Sequence, residues 1–426
     1  MSIISAIFVS TRYWSNREEL DLSILEATKT YLNFSDAVVV LEDGDISSLS
    51  KYQVNDFIIA IPFSGAVQAS ILECSKKFKK IVIFASYIKG ILSDKLSDLL
   101  IQYNAAPTVM DSYAVLKRDN KFVKLLLNEK QLKQYIKVLE AYDYTTTANL
   151  LLIGDIEPWV VSCDRDLSVY ENKLGLKINH ISKQVLIDKY NSLSKDDKDF
   201  NKVKAVFVKN NTIIVEPTNK DIDKAILLTL AILALIKEYN ATGLAIACFD
   251  LIKDLDTTSC LALSYINGNT DYVAACEGDV ESMISMVMLK KLASSPLWMA
   301  NPNLQSNEII NFAHCTSPLN MNNEGCNYIL RNHHESSRGV SPQVELPINK
   351  ELTMFRYGNL GQSISVQSAT SIEGKREVTC RTQLTLKPNS FEYYINTTLG
   401  THMIITYSNI TGEIKQLAKL LELEIL

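Results

Sequence analysis

At 426 residues, 47% hydrophobic and 21% charged, the chain has an ordinary globular composition and exceeds what one hydrophobic core usually organises, so two or three domains are expected. A formal net charge of −5 with no long basic run excludes the electrostatic footprint of a nucleic-acid binder and leaves small molecules as the expected partners. The longest apolar run, residues 225–236, stops at Lys237, too short to span a bilayer as a helix, and reads as a buried helix instead.

The opening segment MSIISAIFVSTRYW alternates apolar and polar residues like a strand, and it lacks the basic region and small-residue cleavage site of a secretory signal. A cytoplasmic location is expected. Residues 3–9, 37–41, 57–62 and 80–85 are short, β-branched-rich apolar runs separated by amphipathic stretches at 17–31, 66–78 and 91–103. Strands spaced by helices of 10–15 residues make parallel βαβ units, so residues 1–145 read as a doubly wound α/β domain.

A second α/β domain is expected over residues 146–303. NLLLIG (residues 149–154) is a buried-strand pattern ending in Gly154, followed by strand-like runs at 205–208 and 212–215. The apolar helix 221–239, the strand 243–248 and a helix at about 256–265 come next. A strand at 272–276 then leads into a Met-rich helix at 280–292 and a short strand at 296–299. The charged run KDDKDFNKVK (195–204) reads as a solvated face. Beyond about residue 303 the pattern alternates in twos, at 343–346, 351–356, 363–368, 379–386 and 403–407, with Gly, Asn and Pro between. Residues 304–426 are therefore expected to be β-rich and barrel-like, closed by a helix at 411–421.

Chemistry concentrates late in the chain. Of the five histidines, His314, His333, His334 and His402 fall in the expected β domain, and His180 lies apart. Cys276-Glu277-Gly278-Asp279 follows a strand directly and precedes a helix, the place where ligands bind in open α/β sheets. Two carboxylates there are costly unless paired or bound to a cation. Asp279 reads equally as the cap of the following helix. Asn301, after the next strand, faces the same crevice or forms a turn. His314 is either a core histidine or a site residue. His333 and His334, if on a strand, point to opposite faces, so only one of them enters a given site. His402 follows Gly400-Thr401 and is the strongest single ligand candidate. The segments 336–339 and Arg356-Tyr357-Gly358 read as polar loops that either hold a hydroxylated ligand or merely turn the chain. The eight cysteines show no CxxC pair or close spacing, so they read as buried thiols rather than a zinc site or disulfide framework.

These residues carry a resemblance. LLIGDIEPWVVS (151–162), VAACEGDVESMISMVMLKKL (273–292), TMFR (353–356) and LGTHMIITYSNITGEIKQLAKLLELEIL (399–426) resemble corresponding blocks of the L-fucose isomerase and L-arabinose isomerase superfamily. That family has two N-terminal α/β domains and a β-rich C-terminal domain. The resemblance implies a Mn²⁺-dependent aldose–ketose isomerase, acting on a pentose, hexose or 6-deoxyhexose through a cis-enediol. It further implies a homo-oligomer, trimer or hexamer. Carried over, Glu277 and His402 are metal ligands, and Glu277 is the proton-transferring residue. Asp279 or a metal-bound water is expected to serve in place of the missing aspartate in catalysis, and Arg356 and His314 are further candidates for contact with the sugar. His334 is a counterpart of an additional histidine ligand. Asn301, 24 positions after Glu277, stands where the related enzymes have a ligating aspartate. An amide is a neutral ligand and no base, so the alternative implied is a sugar-binding relative with a weakened metal site.

Overall fold

Alternating apolar strands and amphipathic helices settle into two units in the computed structural model, Met1–Leu139 and Glu140–Leu426, with the boundary inside the helix Glu129–Thr146. The structure describes residues 3–31, 36–41, 45–54, 56–119, 121–306 and 308–426. Met1 and Ser2 of the opening strand pattern lie outside them.

In the first unit β1 (Ile3–Phe8), β2 (Asp36–Val40), β3 (Phe57–Pro62), β4 (Lys80–Phe84) and β5 (Phe122–Leu126) form one parallel sheet in the order β2-β1-β3-β4-β5. All six residues of β3 are buried, as expected of a central parallel strand covered on both faces. Ile4, Ala6, Ile58, Ala60, Ile81 and Ile83 share a core with Val67 and Ile71 beside and within the helix Gln68–Lys77.

The second unit joins two architectures. Its parallel sheet, in the order β10-β9-β6-β7, comprises β6 (Asn149–Ile153), β7 (Lys177–Ile181), β9 (Gly243–Ile246) and β10 (Val273–Ala275). The two-residue strand β8 (Ile213–Ile214) lies elsewhere, parallel to β13 (Tyr328–Arg331), which pairs in turn with β14 (Ser341–Val344). The remaining strands are β11 (Trp298–Leu304), β12 (Ile310–His314), β15 (Glu351–Gly358), β16 (Ser363–Ile372), β17 (Thr382–Pro388) and β18 (Met403–Thr406). They run antiparallel in the order β15-β18-β11-β12-β17-β16, and β16 pairs back onto β15, so the sheet closes into a barrel. The short β19 (Glu424–Ile425) adds in parallel to β16. The chain is thus an α/β protein with parallel sheets followed by a barrel-like β region. Closure removes the sheet edges that would otherwise expose unpaired backbone groups.

Period-two spacing supplies the barrel's core. Trp298 and Ala300, Ile310 and Phe312, Leu352 and Met354, Leu384 and Leu386, and Met403 and Ile405 meet in one apolar cluster. Ile222, Ala225 and Ile226 of the helix Asn219–Glu238 join it. That helix begins at a capping box between Thr218 and Asp221.

The helix Val280–Lys290 contacts β9 and β10 on one side and β15 and β18 on the other, so it is the common wall of sheet and barrel. Every residue from Val280 to Leu289 is buried, which is why its sequence is apolar nearly all round.

Three local readings change. Residues 205–208 are not a strand: Phe200, Val203 and Phe207 form the buried face of the helix Phe200–Phe207, whose period was masked by the charged residues among them. The helix expected at 256–265 is Cys260–Asn269, and a further helix, Cys248–Leu255, precedes it and ends where Asp256 takes a left-handed conformation. The strand placed at 296–299 in the α/β region is β11, which belongs to the barrel because it pairs with β12 and β18.

Phe312 is fully buried on β12 and meets Tyr394 edge to face. Phe312→Ala is expected to destabilise the second unit by about 3 to 5 kcal/mol, the cost of lost transfer energy and the cavity left behind, read as a lowered midpoint in denaturant titration.

Candidate metal centre

Strand β10 ends at Ala275, and the chain turns through two consecutive left-handed residues, Glu277 (φ 61°) and Gly278 (φ 61°), before entering the helix Val280–Lys290. At Gly278 a side chain is sterically excluded, since a Cβ would lie 2.8 Å from the Asp155 carbonyl oxygen and 2.9 Å from the Ile156 Cα. Glu277 has no such freedom, and its conformation is costly for a residue with a side chain. Neighbouring backbone holds it there: Gly278 N donates to Ile246 O at 2.8 Å, Asp279 N to Cys276 O at 3.0 Å, and Glu157 N to Glu277 O at 3.2 Å. The result aims a buried carboxylate beyond the carboxyl edge of the sheet.

The barrel supplies the facing groups. His314 is the last residue of β12, His402 immediately precedes β18, and Asn301 lies on β11 opposite Ala313. Ligating atoms of Glu277, His314 and His402 all lie within 4.8 Å of one another, and all three residues are buried. Glu277 Oε1 is 3.4 Å from His402 Nε2 and 3.7 Å from His314 Nε2. Its other oxygen, Oε2, accepts from the Trp159 indole at 2.7 Å. His314 Nδ1 is held by the Thr316 hydroxyl at 3.0 Å, leaving Nε2 for the centre.

Behind His402 stands Asp279. Its Oδ2 meets His402 Nδ1 at 2.7 Å, which fixes the ring and turns Nε2 toward Glu277. A carboxylate behind an imidazole is the usual support of a metal-bound histidine. Asp279 also caps the helix by accepting from Ser282 N at 2.7 Å, and it forms a two-point pair with Arg356 at 2.8 and 3.2 Å. Arg356 is itself fully buried, donates to the Ser282 hydroxyl and reaches Glu281 at 3.3 Å. Tyr170 completes the layer with a 3.2 Å bond to Glu281.

Electrostatics follow from this packing. Burial would raise Glu277, but the imidazoles of His314 and His402 outweigh it and hold the carboxyl well below its usual range. Burial likewise opposes ionisation of Asp279, but Arg356 and His402 hold it well below its ordinary value. His402 is pushed up to about 9, because Asp279 and Glu277 together overcome the burial that would lower it. Glu281, with only part of Arg356 to itself, is pushed up to about 7 by burial.

Among the described residues His402 Nε2 and Asn301 Oδ1 are buried without a hydrogen-bond partner, and both belong to residues placed around Glu277. Orphaned buried polar atoms beside a carboxylate are what a cation site leaves when only protein atoms are counted. The donor set of one carboxylate and two imidazoles, with an amide oxygen alongside, suits a divalent cation.

Several assignments shift accordingly. Glu277 and His402 converge, and His314, expected at the sugar, lies with them in one group able to hold a metal ion. Asn301 lines the same cavity. Asp279 is not free for catalysis, because both oxygens are engaged and the side chain has no exposure, so it positions His402. Arg356 is not at the cavity. It sits in a strand, not in a loop, and its guanidinium is spent on Asp279, Glu281 and Ser282. His334 groups with Cys315 and Cys380 rather than with Glu277. His333 and His334 lie past the end of β13 in a turn, so strand alternation does not apply and both face one cavity. Arg338 pairs with Asp256 at 2.7 Å. Trp159 and Tyr170 carry no site signal in the sequence, whereas the i, i+2, i+4 run of acids at 277, 279 and 281 marks Glu281.

Sheet, barrel and donor set together define a class: an α/β protein whose strand-end carboxylate meets histidines at a barrel mouth in a group able to hold a metal ion. No family model matches the chain. A sulfoquinovose isomerase from Alkalicoccus urumqiensis is 22% identical over 326 residues, covering 70% of this chain and 68% of that protein. Among the described residues no helix is long and apolar enough to cross a membrane.

Removing the Arg356 guanidinium takes away the buried charge partner that Asp279 and Glu281 share. Arg356→Met is expected to lower stability by about 3 to 5 kcal/mol, measured by denaturant unfolding followed by circular dichroism.

Proposed function

We propose that this protein is a metal-dependent sugar isomerase that interconverts an aldose and a ketose through a cis-enediol. The observation that carries the reading is the convergence of Glu277, His314 and His402 around an unpartnered, buried His402 Nε2. The distant likeness to a sulfoquinovose isomerase and the resemblance of the blocks 273–292 and 399–426 to the fucose and arabinose isomerases support it.

Glu277, His314 and His402 would hold the ion, with Asn301 as a neutral further donor. A divalent cation, Mn²⁺ in this reading, supplies Lewis acidity toward two neighbouring sugar oxygens. Glu277 carries the proton between C1 and C2, a task for a carboxylate within hydrogen-bond reach of both carbons. Trp159 fixes its Oε2 so that Oε1 is the oxygen presented to the reacting centre. Asp279 holds the His402 ring, and Arg356 holds Asp279. Asn301 accepts or donates a hydrogen bond but takes no proton, which leaves Glu277 as the base within the group of Glu277, His314 and His402.

The cavity residues offer amide, hydroxyl, imidazole and carboxylate groups to sugar hydroxyls, and no lysine or arginine among the described residues lining it. We therefore favour a neutral pentose, hexose or 6-deoxyhexose over a sulfonated one. A homo-oligomer, trimer or hexamer, belongs to the same proposal.

Metal-stripped protein reloaded with Mn²⁺ and incubated with a panel of aldoses and ketoses, sulfoquinovose included, should convert a neutral member. Chelator should abolish turnover. Glu277→Gln should reduce kcat by about 10²- to 10⁴-fold, the typical weight of one general base. Full turnover in Glu277→Gln would overturn the mechanism, and faster turnover of sulfoquinovose would redirect the substrate class. Silence across the panel from Mn²⁺-loaded protein would leave a sugar-binding relative in place of an enzyme.

A further inference from the structure

The cavity bordered by Glu277 and His314 has a second, chemically different wall. Cys260 is the first residue of the helix Cys260–Asn269, Cys315 follows the end of β12, and Cys380 lies just before β17. They are 55 and 65 positions apart in sequence, yet all three are buried in one cluster. Two donor groups share the Cys315 thiol: Cys260, Cys315 and His333 have ligating atoms within 4.8 Å of one another, and so do Cys315, His334 and Cys380.

Thiols by themselves pack as small hydrophobes, and a cluster of three needs no further explanation. The imidazoles do. His333 is buried, and its Nδ1 is engaged by the Ser336 hydroxyl at 3.1 Å, which leaves Nε2 for the thiols, the arrangement that orients a ligating histidine. His334 Nδ1 is buried with no hydrogen-bond partner among the described residues. Hydrophobic packing gives no reason to bring two imidazoles against three thiols.

We propose that these residues form a second metal site, a thiolate–imidazole centre on Cys315 that takes a borderline-soft cation such as Zn²⁺. Binding replaces thiol protons by the ion and releases them to solvent, with no change of oxidation state. Thiolate and imidazole donors select Zn²⁺, whereas the carboxylate-bearing group at Glu277 accepts a harder ion, so the two walls of the cavity sort two kinds of metal. This assignment does not depend on the isomerase reading.

The test uses the full chain, stripped of metal and titrated with Co²⁺ alone under reducing conditions. Wild-type protein is expected to develop the near-ultraviolet thiolate-to-cobalt charge-transfer band, and Zn²⁺ should displace it. The double variant Glu277→Gln, His402→Ala should keep the band, which separates this site from the first. Cys315→Ser should lose it, and Cys260→Ser or Cys380→Ser should weaken it, while Cys248→Ala, outside both donor groups, should not. Should Cys315→Ser fail to fold, the wild-type band, its persistence in the double variant and the two outer cysteine variants decide. Absence of the band in wild type, or its survival in folded Cys315→Ser, would overturn the proposal. So would its loss in the double variant.

Discussion

Asp279 is the group on which the second unit's chemistry rests. Its carboxylate caps the helix Val280–Lys290, pairs with Arg356 from the barrel strand β15, and aligns His402 at the start of β18. A buried ion pair of this kind contributes little net stability, because the desolvation of two charges offsets most of the attraction. What it supplies is register. Sheet and barrel can pack in this arrangement only if the carboxylate, guanidinium and imidazole meet, since any other arrangement strands a buried charge.

The left-handed conformation of Glu277 has the same origin. Strain at a residue with a side chain persists only where surrounding contacts over-determine it. Here the backbone bonds to Ile246 and Glu157 and the close approach of Asp155 to Gly278 leave the turn no alternative. The carboxylate so placed meets two histidines delivered by an unrelated architecture. Neither the sheet nor the barrel contains a complete donor set, and the cavity exists only where they join.

That junction also explains why the two walls of the cavity differ. The groups near Glu277 come from the strand-end turn and the barrel mouth and are oxygen and nitrogen donors. The thiols come from a helix start and two points beside barrel strands, and they gather around Cys315, the next residue after His314. Adjacent residues at one strand end thus contribute to two donor groups of different softness, hard on one side and borderline-soft on the other.

Much of this was legible in the chain alone. Strand and helix periods set out the parallel α/β regions and the β-rich end. The turn at 276–279, between a strand and an apolar helix, marked the carboxylates, and the glycine before His402 marked that histidine. These are local patterns, carried by residues within a few positions of one another. Sequence could not show that Arg356 is buried behind Asp279, that His314 lies with Glu277 and His402, or that Cys260, Cys315 and Cys380 share one cluster. Those facts depend on barrel closure and on the shared helix wall, which bring together residues separated by 37 to 125 positions. Local periodicity fixes which face of an element is apolar, but only packing decides which faces meet, and so which polar groups share a buried space.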